Sequence, residues 1–250
     1  MDIYGLLGYP LGHSFSKNFF NEKFEGECIQ AEYKNFEIAD IDDFPEILLG
    51  HRNLKGFNVT IPYKQKIIPF LDELSEDARE IGAVNVVRVT RRPNGKLHLK
   101  GFNADNVGFR DSIAPLLHPH HKRALILGTG GASKAIDFAL KKLGLETIFV
   151  SRYQRPGTVS YGDLSAEAVK EYEVIVNCTP CGMYPHINEC PDIPYEALSS
   201  NNLLYDLIYN PDTTLFMRKG KAQGAQVKNG LEMLLLQAEA SWRIWQGEIK

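Results

Sequence analysis

Lys64 and Asp105 are the residues whose types and settings come closest to those of reacting groups. Lys64 lies just past an apolar run, Leu54 to Thr60, and two residues after Pro62, a residue favoured at helix starts. A lysine in a first helical turn faces the positive end of the helix dipole, which disfavours its charge and readies it to exchange a proton. The alternative is a solvated surface lysine. Asp105, in Gly101-Phe102-Asn103-Ala104-Asp105, has two roles open to it. It caps a following helix, or it is a carboxylate partner for Lys64 at the junction of two α/β units. His13-Ser14-Phe15-Ser16 adds two hydroxyls after a strand-like run. They suit ligand binding or helix capping better than nucleophilic attack, because adjacent residues rarely bring a base onto its nucleophile.

A second chemistry is carried by Arg123 to Leu143. Ala124-Leu125-Ile126-Leu127 has strand length, Gly128-Thr129-Gly130-Gly131-Ala132-Ser133 follows, and Ala135, Phe138, Ala139 and Lys142 then recur at helical spacing. Strand, glycine turn and helix N-terminus make a site for a pyrophosphate, since unpaired N–H groups and the dipole both favour an anion. Ser133 stands where the strict fingerprint has its third glycine, so an ordinary strand-to-helix turn remains the alternative. The next strand, Glu146 to Val150, runs into Ser151-Arg152-Tyr153-Gln154-Arg155. About 20 residues past the glycines, a carboxylate marks NAD and an arginine accommodates the 2′-phosphate of NADP. Arg152, with Arg155 close by, favours NADP.

Among the cysteines, Cys178-Thr179-Pro180-Cys181 has redox or zinc spacing, with Cys190 as a third candidate ligand. No second close pair exists and the segment follows a strand, so no metal is expected. His118, His120 and His121 sit in a proline-broken connection and read as exposed loop. A net charge of -3 without a basic tract excludes a nucleic-acid footprint. Hydrophobic content of 44% with 24% charged residues is that of a soluble globular protein, and no apolar run approaches a membrane span. MDIYGLLG lacks the basic start of a signal peptide, so the cytoplasm is the expected compartment.

Elements that would position these groups alternate along the first hundred residues. Strands are expected at Ile3 to Leu7, Ala31 to Ile38, Leu54 to Thr60 and Ala83 to Val89, the last joined to Lys96 to Phe102 by the turn Arg92-Pro93-Asn94-Gly95. Helices are expected from Ser16 as N-cap, over Asp42 to Leu49 with Pro45 in the first turn, and over Ser75 to Ile81. Beyond Asp105 and the glycine unit, strands at Val174 to Asn177 and Leu203 to Ile208 flank a helix over Ser165 to Tyr172 and complete a doubly wound domain. The last helix, Leu231 to Gln246, carries the stripe Leu231, Leu234, Leu235, Ala238, Trp242 and Trp245. The fold class is α/β: an N-terminal α/β substrate domain, 1–102, with the C-terminal helix 230–250 packing back on it, and a Rossmann-type doubly wound NADP-binding domain, 103–229.

The ordered set of motifs resembles the shikimate dehydrogenase family over almost the full length. It comprises Gly12-His13-Ser14-Phe15-Ser16, Asn58 to Lys64, Gly82-Ala83-Val84-Asn85, Gly101 to Asp105, the loop at Gly128, Asn177 to Met183, Asp206 to Pro211, and Gly230 to Leu234 leading to Gln237-Ala238. The resemblance implies NADP-dependent, reversible reduction of 3-dehydroshikimate to shikimate, in the route to aromatic amino acids, by a monomer or homodimer. It implies that Lys64 and Asp105 form the catalytic pair, and that Ser14, Ser16, Thr60, Asn85, Asp105, Tyr209 and Gln237 bind substrate. It assigns Gly128, Gly130, Gly131 and Ala132 to the pyrophosphate, Ser151, Arg152 and Arg155 to the 2′-phosphate side, and Thr179, Met183, Gly230 and Met233 to the remainder of the cofactor. The chain departs from the family at Lys17 and Phe20, where Pro and His are frequent, at Ala104, where Thr is common, and at Tyr153, where Thr or Ser is frequent. A dehydrogenase of quinate or a related polyol acid is the nearest rival, and a non-catalytic NADP-binding regulator of the same fold is another.

Overall fold

The structure, a computed structural model, describes residues 1–12, 15–153 and 156–249. It divides into two compact units, Met1–Ala104 with Ala238–Lys250, and Asp105–Gln237. The division falls two residues beyond the sequence boundary at 102, and it cuts the C-terminal helix at Gln237 rather than taking all of 230–250 to the first unit.

The first unit runs β1 (Asp2–Gly8), α1 (Phe15–Gly26), β2 (Ala31–Glu37), α2 (Phe44–Gly50), β3 (Leu54–Val59), β4 (Glu73–Leu74), α3 (Glu76–Ile81), β5 (Val86–Arg91) and β6 (Leu97–Phe102). Its sheet has the order β2-β1-β3-β5-β6-β4. β1 pairs in parallel with β2 and β3, whereas β3, β5 and β6 pair antiparallel in turn. Local chemistry sets the helix starts: Ser75 accepts a hydrogen bond from the Ala78 N–H as the N-cap of α3, and Gly82 closes that helix at a left-handed φ of 69°. Pro45 sits in the first turn of α2 as its spacing predicts. Ser16 does not cap α1 but lies within it, because the helix already begins at Phe15.

The second unit runs α4 (Asp105–Ile113), β7 (Arg123–Leu127), α5 (Gly131–Lys142), β8 (Glu146–Ser151), β9 (Thr158–Ser160), α6 (Ala166–Val169), β10 (Val174–Asn177), β11 (Leu203–Asp206), α7 (Leu215–Ala222) and β12 (Gln226–Lys228). α8 (Leu231–Trp245) ends the chain. The sheet is all parallel, in the order β12-β11-β10-β7-β8-β9, so every strand delivers its carboxyl end to the same edge. Such a sheet is buried on both faces, which explains the unbroken apolar runs. Leu125, Leu127, Ile175 and Leu204 enter one core layer, while Ala124, Ile126, Val174, Val176 and Tyr205 enter the other.

The stripe on α8 is less uniform than its spacing implies. Leu231 and Leu235 are exposed, and the buried residues are Met233, Ala238, Ala240, Ser241, Ile244 and Trp245. The C-terminal half docks in the first unit through aromatic rings. Trp245 lies 4.9 Å from Tyr4 and 5.1 Å from Phe20 between ring centroids, and Trp242 lies 5.5 Å from both Tyr4 and Phe24. The Trp245 indole N–H donates to the Val87 carbonyl at 3.1 Å, so its one polar atom is satisfied in the core. Asn58 Nδ2 donates to Ser241 Oγ at 2.9 Å, and Tyr33 donates to Asn58 Oδ1 at 2.8 Å.

Gly56, in the middle of β3, is what admits the indole: a Cβ there would collide with the Trp245 ring. Gly56→Ala is therefore expected to destabilise the protein by about 1–3 kcal/mol through overpacking. The check is urea unfolding, in which the midpoint should fall with the slope unchanged; an unshifted midpoint would show that the helix end docks without this fit.

Candidate functional site

In the first unit the predicted polar residues gather at the carboxyl end of β3. Thr60 follows β3 directly and its N–H donates to the Leu7 carbonyl at 2.9 Å. Lys64 is half-buried in a run of turns, and its carbonyl accepts from Val84 N–H at 2.7 Å. No helix opens at Pro62, contrary to the sequence expectation, because backbone bonds such as Tyr63 N–H to Thr60 close turns there. The dipole argument for Lys64 therefore falls, and what the fold gives the lysine is a fixed place at a strand end.

Asn85 is almost wholly buried and is pinned on three sides. Its carbonyl accepts from Val59 N–H at 2.8 Å, its N–H donates to Phe102 at 3.0 Å, and its side-chain Oδ1 accepts from Ala104 N–H at 2.6 Å. One amide side chain thus fixes the residue that immediately precedes Asp105. Ser16 is half-buried in the first turn of α1 and hydrogen-bonds the buried Tyr33 phenol. Ser14 lies outside the described residues.

In the second unit, Asp105 heads α4 and is 8% exposed. Gly108, one turn on, lets α8 approach closely: a Cβ would lie 2.6 Å from the Met233 carbonyl and 2.9 Å from Gln237 Cβ. Gln237 is half-buried and its Nε2 donates to the Leu234 carbonyl at 3.0 Å. Met233 is buried in the core beside Phe109 and Tyr205. Gly230 is required by another close approach, since a Cβ there would run into the Leu207 carbonyl. Tyr209 and Met183 are both substantially exposed.

The glycine loop suits a phosphate. Gly128 adopts φ 108°, a region that side chains disfavour. Gly130 is the N-cap of α5, carries no side-chain cap, and a Cβ on it would meet only open space. The first-turn N–H groups at Gly131 and Ala132 therefore stand at an uncapped helix N-terminus with room in front of it. Ser133, in the third glycine's place, is fully buried with the Cys178 thiol beside it. At the end of β8, buried Ser151 Oγ accepts from Tyr153 N–H at 3.3 Å, and the exposed Arg152 guanidinium lies 5.9 Å from the Tyr153 ring centroid. Arg155 lies outside the described residues. These features fit a dinucleotide whose phosphates carry the negative charge.

A network that sequence reasoning missed binds the loops after β10 and β11. Asn177 Oδ1 accepts from both the N–H and the hydroxyl of Thr179, at 3.0 and 2.7 Å. Asn177 Nδ2 donates to Asp206 Oδ1 at 3.0 Å, and Asp206 Oδ2 accepts from Thr214 at 2.6 Å. The sequence signals are a polar residue closing each of two apolar strands and the place of both residues at the head of motifs in the ordered set, neither of which pairs them. Burial pushes the Asp206 carboxyl up from 3.8 to about 6, against the opposing hydrogen bonds from Thr214, Ile208 and Asn177.

The thiol and imidazole clusters resolve differently from their spacing. Cys178 packs in one core layer and Cys190 in the other, on opposite faces of the sheet, so with Cys181 they do not converge on one ion. Burial pushes the Cys178 and Cys181 thiols up, away from reactive thiolates. Among the described residues no group of three or more His, Cys, Asp or Glu could hold a metal. His121, expected in an exposed loop, is instead buried at 6% exposure: its Nδ1 accepts from His118 N–H at 3.0 Å, and burial lowers its pKa. No helix among the described residues is long and apolar enough to cross a membrane.

A wholly parallel, doubly wound sheet with a glycine turn into an uncapped helix and an arginine at the end of its second strand defines a dinucleotide-binding α/β protein. Comparison with known proteins narrows that class. Residues 6–87 match the family model described as the shikimate dehydrogenase substrate binding domain. A shikimate dehydrogenase (NADP(+)) of Carboxydothermus hydrogenoformans is 36% identical over 261 residues, 97% of this chain and 91% of the relative. That of Halothermothrix orenii is 37% identical over 268 residues, 98% of this chain and 91% of the relative. The crystal structure of the Thermus thermophilus shikimate 5-dehydrogenase in complex with NADP(H) and shikimate is 31% identical. It aligns with a TM-score of 0.84, covering 99% of this chain and 94% of that one. This chain belongs to the shikimate dehydrogenase family.

The raised Asp206 carboxyl has a consequence for stability. Between about pH 4 and about pH 6 the folded protein holds a proton there that the unfolded chain has lost, so stability falls as pH rises through that window. Asp206→Asn does not titrate. Its stability relative to the unaltered protein is expected to rise by up to about 3 kcal/mol from pH 4 to pH 7. Urea unfolding at several pH values checks this, and parallel pH profiles for the two proteins would contradict it.

Proposed function

We infer that this chain is an NADP-dependent shikimate dehydrogenase, which interconverts 3-dehydroshikimate and shikimate by reversible hydride transfer. The observation that carries the reading is similarity over nearly the whole chain to NADP-linked shikimate dehydrogenases, and the presence of Lys64 and Asp105 in motifs that resemble the family's supports it. Bound NADPH supplies the hydride. The protein's own contribution is to orient the substrate and to manage charge on the carbonyl oxygen as it becomes a hydroxyl.

In this reading Lys64 donates a proton to that oxygen, or stabilises its charge, and Asp105 holds the geometry. Ser14, Ser16, Thr60, Asn85, Tyr209 and Gln237 recognise a small polyhydroxy acid, for which hydroxyl and amide side chains are suitable partners. The buried amide of Asn85 supports this part, because a rigidly bonded side chain loses little freedom when a ligand binds. Gly128, Gly130, Gly131 and Ala132 receive the pyrophosphate, and Arg152 with Ser151 and Arg155 receives the 2′-phosphate. Thr179, Met183, Gly230 and Met233 belong to the cofactor's other end.

Lys64→Ala should lower kcat by about 10²–10⁴-fold, the usual loss on removing a positioned acid, with the shikimate KM changed only modestly. Steady-state NADP reduction by shikimate, with quinate run in parallel, measures this on protein shown to be folded by circular dichroism. A folded variant working near the original rate removes Lys64 from the mechanism, and faster turnover of quinate shifts the substrate to that acid.

Arg152→Asp should weaken NADP selectively, since it removes a phosphate partner and adds a repelling charge. Calorimetric titration with NADP and NAD reads the effect directly. Equal affinity of the unaltered protein for the two cofactors would overturn the assignment of Arg152.

A further inference from the structure

Asp206 closes β11 at zero exposure, and its carboxylate accepts hydrogen bonds from three neutral donors. Its Oδ1 accepts from Asn177 Nδ2 and from Ile208 N–H, both at 3.0 Å, and its Oδ2 accepts from Thr214 Oγ1 at 2.6 Å. The titratable groups that sense it, Cys178, Cys181 and Tyr195, are neutral acids whose own protons are held more tightly by burial. A carboxylate buried among such neighbours opposes folding, because desolvation is not offset by a cation.

The sheet itself does not need this side chain. β10 and β11 are already joined by a four-residue parallel ladder, Val174–Leu203 to Asn177–Asp206. What Asp206 adds lies beyond the strands. Through Asn177 it reaches Thr179, whose hydroxyl accepts from Cys181 N–H at 3.2 Å, two residues before Met183. Through Ile208 N–H it fixes the start of the segment that carries Tyr209. Through Thr214, which also caps α7 by accepting from Met217 N–H at 3.3 Å, it anchors the far end of that segment.

We propose that Asp206 is a positioning residue for one end of the dinucleotide site, acting through Asn177 on the Thr179–Met183 loop and through Ile208 and Thr214 on the loop that holds Tyr209. The proposal rests on the cofactor reading given above. Arg152, assigned above to the 2′-phosphate at the adenosine end, follows β8 and is separated from this network by β7, whereas the glycine turn after β7 meets it, a Cβ on Gly128 lying 3.1 Å from Thr179 Cγ2. Loss of Asp206 should therefore affect the two ends of the cofactor unequally. The acceptor geometry of Oδ1, rather than the negative charge, is what the two loops use.

The test is calorimetric binding of NADP and of adenosine 2′,5′-bisphosphate, which retains only the adenosine end, followed by shikimate-dependent kinetics. Asp206→Ala is expected to weaken NADP about 10-fold, the effect of losing about 1.4 kcal/mol of ordering, while bisphosphate affinity stays within about twofold. Its kcat should fall by about 10²-fold, as misplacement of a bound reactant does. Asp206→Asn keeps Oδ1 and offers an N–H to the Thr214 hydroxyl, so it should restore most of the NADP affinity and of kcat. If Asp206→Ala does not fold, Asn177→Ala breaks the same link at its other end and should give the same unequal loss. Equal weakening of both ligands in the folded variants would reduce Asp206 to a general structural role and overturn the proposal, as would unchanged NADP binding. An unaltered protein that binds neither ligand would overturn the cofactor reading itself, and this proposal with it.

Discussion

Backbone ladders end where the strands end, and the residues with chemical potential in this protein begin there. Something other than the ladder must hold the chain just past each strand, and in both units it is a buried amide or carboxylate that accepts from backbone N–H groups. Asn85 does this in the first unit, bonding Ala104 N–H beside Asp105. Asn177 and Asp206 do it in the second, bonding Thr179 and Ile208. Each such side chain satisfies donors that would otherwise be buried without partners, which avoids a penalty of about 1–3 kcal/mol per group. The bonds also convert loops into parts of the scaffold, which positioning of a reactant requires.

Close backbone approaches supply the complementary constraint. Gly56 makes room for the Trp245 ring, Gly108 for the backbone of α8, and Gly230 for the Leu207 carbonyl. All three involve the C-terminal helix or the residue just before it. That helix thus depends on contacts with segments distant in sequence rather than on its own apolar stripe, part of which faces solvent at Leu231 and Leu235. Tight packing of this kind leaves few alternative positions for Gln237, which sits where the helix passes from one unit to the other.

Family membership makes sense of the polar residues collected at the strand ends. A small acid with several hydroxyls needs many directional partners, whereas a dinucleotide needs a few amides and a cation for its phosphates. In the proposed reading the first unit offers the former in Thr60, Lys64 and Asn85. In the same reading the second offers the latter in the loop at Gly128 and in Arg152. The buried charge at Asp206 is a local cost to stability, of a kind commonly found at functional sites.

Much is legible from sequence because its physical signals are local. The parallel strands of the second unit show as apolar runs, since a sheet covered on both faces buries every side chain. Pro45 in the first turn of α2 and the glycine turn at Gly128 each follow from a single residue's conformational preference, and the ordered motifs carry the family. Other features are decided only by tertiary contacts. Pro62 reads as a helix start, but its surroundings close as turns, so Lys64 faces no helix dipole. The pair Cys178 and Cys181 has the spacing of a metal or redox motif. Tertiary packing instead puts Cys178 and Cys190 against different core layers, which no spacing rule reveals. His121 reads as loop and is buried. Asp206 and Asn177 open two of the ordered motifs, but nothing in the sequence pairs them. Their importance arises from the parallel pairing of β10 with β11, which sets two side chains 29 positions apart within hydrogen-bond distance of each other. Local propensity is encoded residue by residue, whereas the partner of a buried polar group is fixed only when the strands are laid side by side.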